Sequence, residues 1–199
     1  MSKAFDFFYD YISPFSYIGF YKAEAIAKRT GATMNIRPVF LGAIMKASGN
    51  TPPGMVPAKG NYMMKDLQRV SAHHGLTLIM NPHFPMMDTR PLLRATIALQ
   101  DNPALQRKLI DTSFAAVWNN AKGINVGDWI QLDPVLTDAG LDVAQIHAAA
   151  ASEEADMQFR TNTNDAIKHG AFGAPSMLVD GELYFGHDRL DYVERALTN

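Results

Sequence analysis

A chain of 199 residues, 47% hydrophobic and 19% charged, carries enough apolar side chains for a sizeable core; that excludes a disordered segment and leaves one large domain or two small ones. The net charge is −2 with acids and bases interspersed, and no Lys/Arg run supplies the stripe that nucleic acid demands. The absence of cysteine excludes disulfides, thiolate metal sites and dithiol redox chemistry on the chain's own residues. Residues 1–10 hold an acid at Asp6 and no long apolar run, so no secretory signal is expected there. Nowhere do about 18 apolar residues follow one another, so no membrane span is expected, and a reducing cytoplasm is the expected compartment.

The aromatic run at 5–9, flanked by Asp6 and Asp10, predicts a strand. It stops at Ser13-Pro14, a favoured N-cap followed by a residue that needs no N–H in the first turn. A helix is therefore predicted to about residue 29, with Phe15, Ile18, Ala25 and Ile26 inward and Gly31 ending it. A second strand at 33–40 completes a βαβ unit, whose crossover favours a parallel pair. Residues 48–60, with Pro52, Pro53, Gly54, Pro57 and Gly60, predict a structured loop without a regular element. Helical spacing follows at Met63, Leu67, Val70 and His74, and again at Ile110, Phe114 and Val117. Asp133-Pro134 and Asp142 read as caps of two later helices separated by Gly140, the second running to Gly170. Short apolar runs at 176–179 and 183–185, joined by Asp180-Gly181, predict a hairpin, and a helix at 188–197 finishes the chain. The β elements thus lie at both ends with helices between them: one α/β domain with a helical subdomain inserted.

Three places can carry chemistry. Ser13 is first of all a helix cap. Yet a side chain between a strand's carboxyl end and a helix N-terminus also lies where α/β folds hold ligands and where N–H groups favour anions. No Gly-x-Ser-x-Gly elbow surrounds it and no base can be assigned to it, so hydrogen-bond donation to an anion is favoured over nucleophilic attack. Ala174-Pro175 precedes a strand, where an X-Pro bond can be cis and the backbone of Ala174 can pair with an extended peptide. Asp188, in Gly186-His187-Asp188-Arg189, caps the last helix and offers a carboxylate to an ammonium group. His73, His74, His83, His147 and His169 show no ligand spacing, so no metal is expected. Trp118, Trp129 and the eleven methionines read first as core.

Four segments, FYDYISPFSY at 8–17, IMKASGNTPPGMVPAKG at 44–60, GAFGAPS at 170–176 and FGHDR at 185–189, resemble the kappa-class glutathione transferases and the related 2-hydroxychromene-2-carboxylate isomerases. The resemblance implies an α/β, thioredoxin-like domain with an all-helical insertion. Its expected bounds are 1–45 and 171–199 for the thioredoxin-like part, and 46–170 for the Pro-rich loop and helices, the last helix packing back on the sheet. It further implies that Ser13 hydrogen-bonds the sulfur of glutathione and holds it as thiolate, and that Ala174, before cis-Pro175, pairs with the cysteinyl part. Gly186, His187 and Asp188 then hold the γ-glutamyl end, while Asn50 and Lys59 contact glutathione from the loop, Lys59 at the glycyl carboxylate. The kappa transferases carry Ser where this chain has His187, which leaves a side-chain contact open and a backbone contact available.

The second substrate, a small aromatic or electrophilic molecule, is expected between the loop after Lys59 and the helices bearing Tyr62 and Trp118. A glutathione-dependent isomerase is the first expectation, because the chain ends just after its last helix as the bacterial isomerases do. The Pro-rich loop is closer to the kappa transferases, which are the alternative; a non-catalytic glutathione-binding protein is the second. A homodimer is expected, with neither nucleic acid nor membrane as partner.

Overall fold

The computed structural model describes residues 3–198; Met1, Ser2 and Asn199, at the outer ends of the expected thioredoxin-like segments, lie outside the described residues. Two compact units are present, one made of the described residues up to Leu78 and from Asn162 on, the other of Ile79–Thr161.

The first unit is built on β1 (Ala4–Tyr9), in which Phe5, Phe7, Phe8 and Tyr9 are all buried, so that both strand faces are covered. Ser13 then caps α1 (Pro14–Thr30), and Gly31 ends it in the left-handed conformation with Lys28 and Arg29 in the last turn. The helix returns the chain to β2 (Thr33–Pro38), parallel to β1. The hairpin of β3 (Ser176–Val179) and β4 (Glu182–Phe185) adds two antiparallel strands, giving the order β2-β1-β3-β4. One sheet face packs Phe7, Tyr9 and Phe20 as mutually tilted rings, while Phe8, Val39, Ile44, Ala166 and Ala171 form the core on another side of the sheet.

Several expectations are corrected. A short helix, α2 (Leu41–Ser48), follows β2. Its first N–H, on Leu41, is bonded to Oδ2 of the buried Asp10 at 3.0 Å. The cap comes from a residue 31 positions earlier, so no local signal announces it. The stretch 48–60 is not wholly loop: after a 3₁₀ turn at Pro53–Met55, α3 (Pro57–His73) begins, Pro57 taking a first-turn position where its missing N–H costs nothing. Ala25 faces solvent rather than the core.

In the second unit α4 (Arg90–Ala98), α5 (Pro103–Trp118), α6 (Trp129–Asp138) and α7 (Val143–Ala150) bury Leu92, Leu93, Leu109, Ile110, Phe114, Leu132 and Ile146. Asp128, not Asp133, caps α6, through Ile130 N–H at 3.0 Å, and Pro134 lies inside the helix, where it forfeits one ladder bond. The expected continuous helix from 142 to 170 is two. Ser152 Oγ accepts from Ala155 N–H at 3.2 Å and restarts the chain as α8 (Glu153–Lys168), with Glu153, Glu154 and Asp156 favouring its N-terminal turn.

The unit division falls inside the expected insertion for physical reasons. Tyr17 Oη donates to Thr77 O at 3.1 Å and Gln68 Nε2 to Leu78 O at 3.2 Å, which keeps α3 with α1. Arg37 pairs with Asp165 at 2.7 Å and Asn162 Nδ2 donates to Pro38 O, which fastens the end of α8 to β2. The last helix, α9 (Leu190–Thr198), buries Leu190, Val193 and Leu197 and pairs with α1 through Lys22–Asp191 and Arg29–Glu194.

Candidate functional site

Ser13 leaves β1 and opens α1, so its side chain is fixed by the two elements it joins. Its Oγ accepts from Ser16 N–H at 3.1 Å as the helix cap and donates to the carbonyl of Ala174 at 2.9 Å, bridging 161 residues. The next bond, Ala174-Pro175, is cis. Pro175 O accepts from Gly186 N–H at 2.9 Å, so residues far apart in sequence are tied together where β1 ends and β3 begins. Gly186 has φ +98, and a Cβ there would lie 2.6 Å from Asp188 Oδ1; only glycine lets that carboxylate fold back over the turn. Asp188 Oδ2 in turn accepts from Arg189 Nη1 at 2.7 Å.

His187 is stacked on Phe15 of the first turn of α1, with ring centroids 5.2 Å apart and planes 17° from parallel. The close approach depends on Gly19, whose Cβ position lies 3.0 Å from Pro175 Cγ and 3.5 Å from His187 Cβ. Burial holds His187 below the usual imidazole range; the charges of Lys22 and His74 add to this and Asp188 opposes it.

Beside Phe15 opens a groove of about 390 Å³, walled by Pro53, Ala58, Lys59, Tyr62, Met63 and Asp66. On the His187 side lies a second cleft of about 540 Å³. Positions 59, 62, 63, 66, 69, 70 and 73 recur at three and four residues, so one stripe of α3 lines both openings.

The structure therefore brings Ser13, Ala174, Pro175, Gly186, His187 and Asp188 together, with Lys59 and Tyr62 across the Phe15 ring. Tyr62 is largely exposed and reaches Asp66 at 3.4 Å. Asn50 donates to Phe172 O at 2.8 Å, tying the loop to the segment that leads into Ala174. Trp118 is fully buried and packs on Phe84, so its ring serves the core of its own unit rather than a groove wall. Phe15, read from sequence as an inward core residue, is instead half-buried: it lines the first opening and stacks on His187, which lines the second. Its place two residues after Ser13 was the available signal. His73 and His74 line the second cleft although they lack metal spacing. Chemically, a hydroxyl at the head of a helix, a cation on one side and a carboxylate on the other can hold an extended zwitterion with an anionic centre.

Known proteins share this fold. The model of the DSBA-like thioredoxin domain matches residues 4–198. A 2-hydroxychromene-2-carboxylate isomerase of Sphingobium xenophagum is 32% identical over all of both chains, and glutathione S-transferase kappa 1 of Rattus norvegicus is 27% identical over 98% of this chain and 91% of its own. A solved 2-hydroxychromene-2-carboxylate isomerase superposes with a TM-score of 0.82 at 26% identity, covering 98% of this chain and 94% of that one. The fold is thioredoxin-like with a helical insertion. The chain belongs to the DSBA-like thioredoxin-domain family, within the group of 2-hydroxychromene-2-carboxylate isomerases and kappa-class glutathione transferases, and is an enzyme.

Proposed function

We propose that the protein is a glutathione-dependent isomerase of 2-hydroxychromene-2-carboxylate-like aromatic substrates. The observation that carries the reading is the position of the Ser13 hydroxyl, a donor at the head of α1 and 2.9 Å from the carbonyl of Ala174. The donor set fits glutathione: Lys59 for the glycyl carboxylate, Asn50 for the loop side, Ala174 and Pro175 for the cysteinyl backbone, Gly186, His187 and Asp188 for the γ-glutamyl end. Bound glutathione supplies a thiolate able to add to a conjugated carbon and leave again, between which events a double bond is free to turn.

What Ser13 must contribute can be estimated. Lowering a thiol pKa from about 8.5 by two units needs roughly 2.7 kcal/mol of preference for the anion. A hydrogen bond to a charged group gives about 1.5–3 kcal/mol, but redirecting the proton from Ala174 O gives up a neutral bond of about 0.5–1.5. The helix N-terminus adds about 0.3–1, up to 2 in a partly buried setting. The hydroxyl alone nets at most about 2.5 kcal/mol, so the helix is required as well, and the needed value lies in the upper half of their combined range. Phe15, Tyr62 and Met63 offer apolar and aromatic faces to the second substrate.

A kappa-class transferase is the second reading, favoured by the Pro-rich segment, since Pro53 and Lys59 both line the groove. Offering purified protein glutathione with a hydroxychromene carboxylate, and separately with a chlorodinitrobenzene-type electrophile, decides between the two. Turnover of the first without consumption of glutathione is expected; turnover of the second alone would overturn the isomerase assignment. The reading also includes a homodimer, as the family resemblance implies, and a cytoplasmic location, which suits a cysteine-free user of glutathione. No helix among the described residues is long and apolar enough to cross a membrane.

A further inference from the structure

Asp10 follows the last residue of β1 and is buried, in the turn that leads to Ser13. Its carbonyl accepts from Ser13 N–H at 3.1 Å, closing that turn, and its Oδ1 accepts from Ile12 N–H at 3.1 Å within it. The other carboxylate oxygen, Oδ2, reaches out of the turn and accepts from Leu41 N–H at 3.0 Å at the start of α2. Capping α2 needs only one oxygen, and the neighbouring Phe40 N–H has its own acceptor in Thr163 Oγ1 at 3.0 Å. The second oxygen serves the turn that ends on Ser13. One carboxylate thus ties two backbone segments 31 residues apart. Ser13 is itself buried, and its Oγ lies within hydrogen-bond reach of both Ser16 N–H and Ala174 O, so a shift of the turn carries the hydroxyl off line.

We propose that Asp10 is a positioning residue for the Ser13 hydroxyl: by tying the turn at 10–13 to the start of α2, it holds Oγ where a sulfur anion is received. The inference rests on the glutathione reading above and concerns aim rather than charge. The two separate by sign. A negative charge near the sulfur disfavours thiolate, so neutralising residue 10 would by itself lower the thiol pKa. Loss of aim raises it, because a hydrogen bond weakens steeply as it bends.

The test reads the thiol pKa of bound glutathione by ultraviolet titration, together with turnover. Asp10→Asn keeps the side-chain volume but makes one acceptor a donor, so either Ile12 N–H or Leu41 N–H loses its partner. Leu41→Pro deletes the other end of the tie. Position 41 is the first of α2, where proline is tolerated, and Phe40 already has the extended backbone (φ −89°, ψ 103°) that precedes proline. Both variants should raise the thiol pKa and lower turnover near neutrality by about ten- to a hundredfold. KM for glutathione should stay near the wild-type value, since the residues assigned to the rest of the tripeptide are untouched. On a Ser13→Gly background neither substitution should raise the thiol pKa further, because no hydroxyl is left to aim. Thr163→Val removes the Phe40 anchor of α2, leaves the turn alone and should keep the wild-type pKa. Should Asp10→Asn not fold, Leu41→Pro decides alone. An unchanged or lowered thiol pKa in either folded variant, a rise of equal size without the Ser13 hydroxyl, or the same rise in Thr163→Val overturns this inference and leaves the glutathione reading standing. Wild-type protein that binds no glutathione, or binds it only as thiol, overturns both.

Discussion

Replacing Ser13 by alanine deletes one oxygen with three tasks, and the structure allows their costs to be separated. As helix cap, Oγ accepts from Ser16 N–H at 3.1 Å, and its loss costs about 0.5–2 kcal/mol of stability. As donor to Ala174 O at 2.9 Å in a buried setting, it satisfies a carbonyl whose abandonment costs about 1–3 kcal/mol. As the proposed donor to a sulfur anion, it turns its one proton away from Ala174 O, so the net contribution is about 0–2.5 kcal/mol, up to about two pKa units of bound thiol and a similar power of ten in turnover near neutrality. Alanine removes all three. Ser13→Gly removes the same oxygen, yet glycine is a tolerated N-cap that loses only a few tenths of a kcal/mol in that task. The glycine variant should therefore melt above the alanine variant while both show the same raised thiol pKa. Ultraviolet titration of bound glutathione reads the thiolate, and thermal melts read the cap. Wild-type thiolate content in either variant, at full occupancy, would refute the role given to Ser13.

Three other substitutions probe the surroundings. Gly19→Ala gains helix propensity of about 1 kcal/mol but places a methyl 3.0 Å from Pro175 Cγ, a crowding cost of about 1–3, so net destabilisation of up to about 2 kcal/mol and weaker glutathione binding are expected in melts and titrations. Lys59→Met should weaken glutathione binding by about 1.5–3 kcal/mol and leave γ-glutamylcysteine, which lacks the glycyl carboxylate, unaffected; equal losses for both would remove Lys59 from that contact. His187, kept below its usual range by burial, binds fewer protons in the folded chain than in the unfolded one. Stability should thus fall as pH drops through the unfolded value near 6.5, and denaturation curves of His187→Asn should lose that part of the acid sensitivity.

What could be read in advance follows from where each signal resides. β1, α1 and the hairpin declare themselves locally, through an aromatic run, Ser13-Pro14 and Asp180-Gly181, whereas Asp188 does not cap the last helix: it lies in a 3₁₀ turn, His187–Arg189, and α9 begins only at Leu190. The start of α2 was illegible because its capping carboxylate belongs to Asp10. The start of α3 was misread because proline breaks a helix interior yet opens a helix equally well, and only the fold says which Pro57 does. Asp133-Pro134 looked like a cap for the same reason, while Asp128 held that place. At the site, the family resemblance names Ser13, Ala174 and Asp188, which the structure brings to one place, but nothing in it names Phe15 as a groove wall. Phe15 owes its position to a histidine 172 residues away that stacks on it.

The Phe15–His187 contact also bears on how the two ligands communicate. One ring borders the groove of Lys59 and Tyr62, the other borders the cleft of Lys22 and His74, and the rings lie nearly parallel. If ligands occupy both openings, a shift of either ring is passed to the other, so occupancy of one opening is predicted to change affinity at the other through two residues in contact. Coupling of this kind is reciprocal: whatever factor the tripeptide adds to substrate affinity, the substrate returns to the tripeptide. His187→Phe preserves a stacking ring and abolishes its charge. If the coupling acts through packing, this variant keeps the mutual enhancement measured by titrating each ligand in the presence and absence of the other. If it acts through charge, the enhancement disappears, and stacking alone is excluded as its carrier.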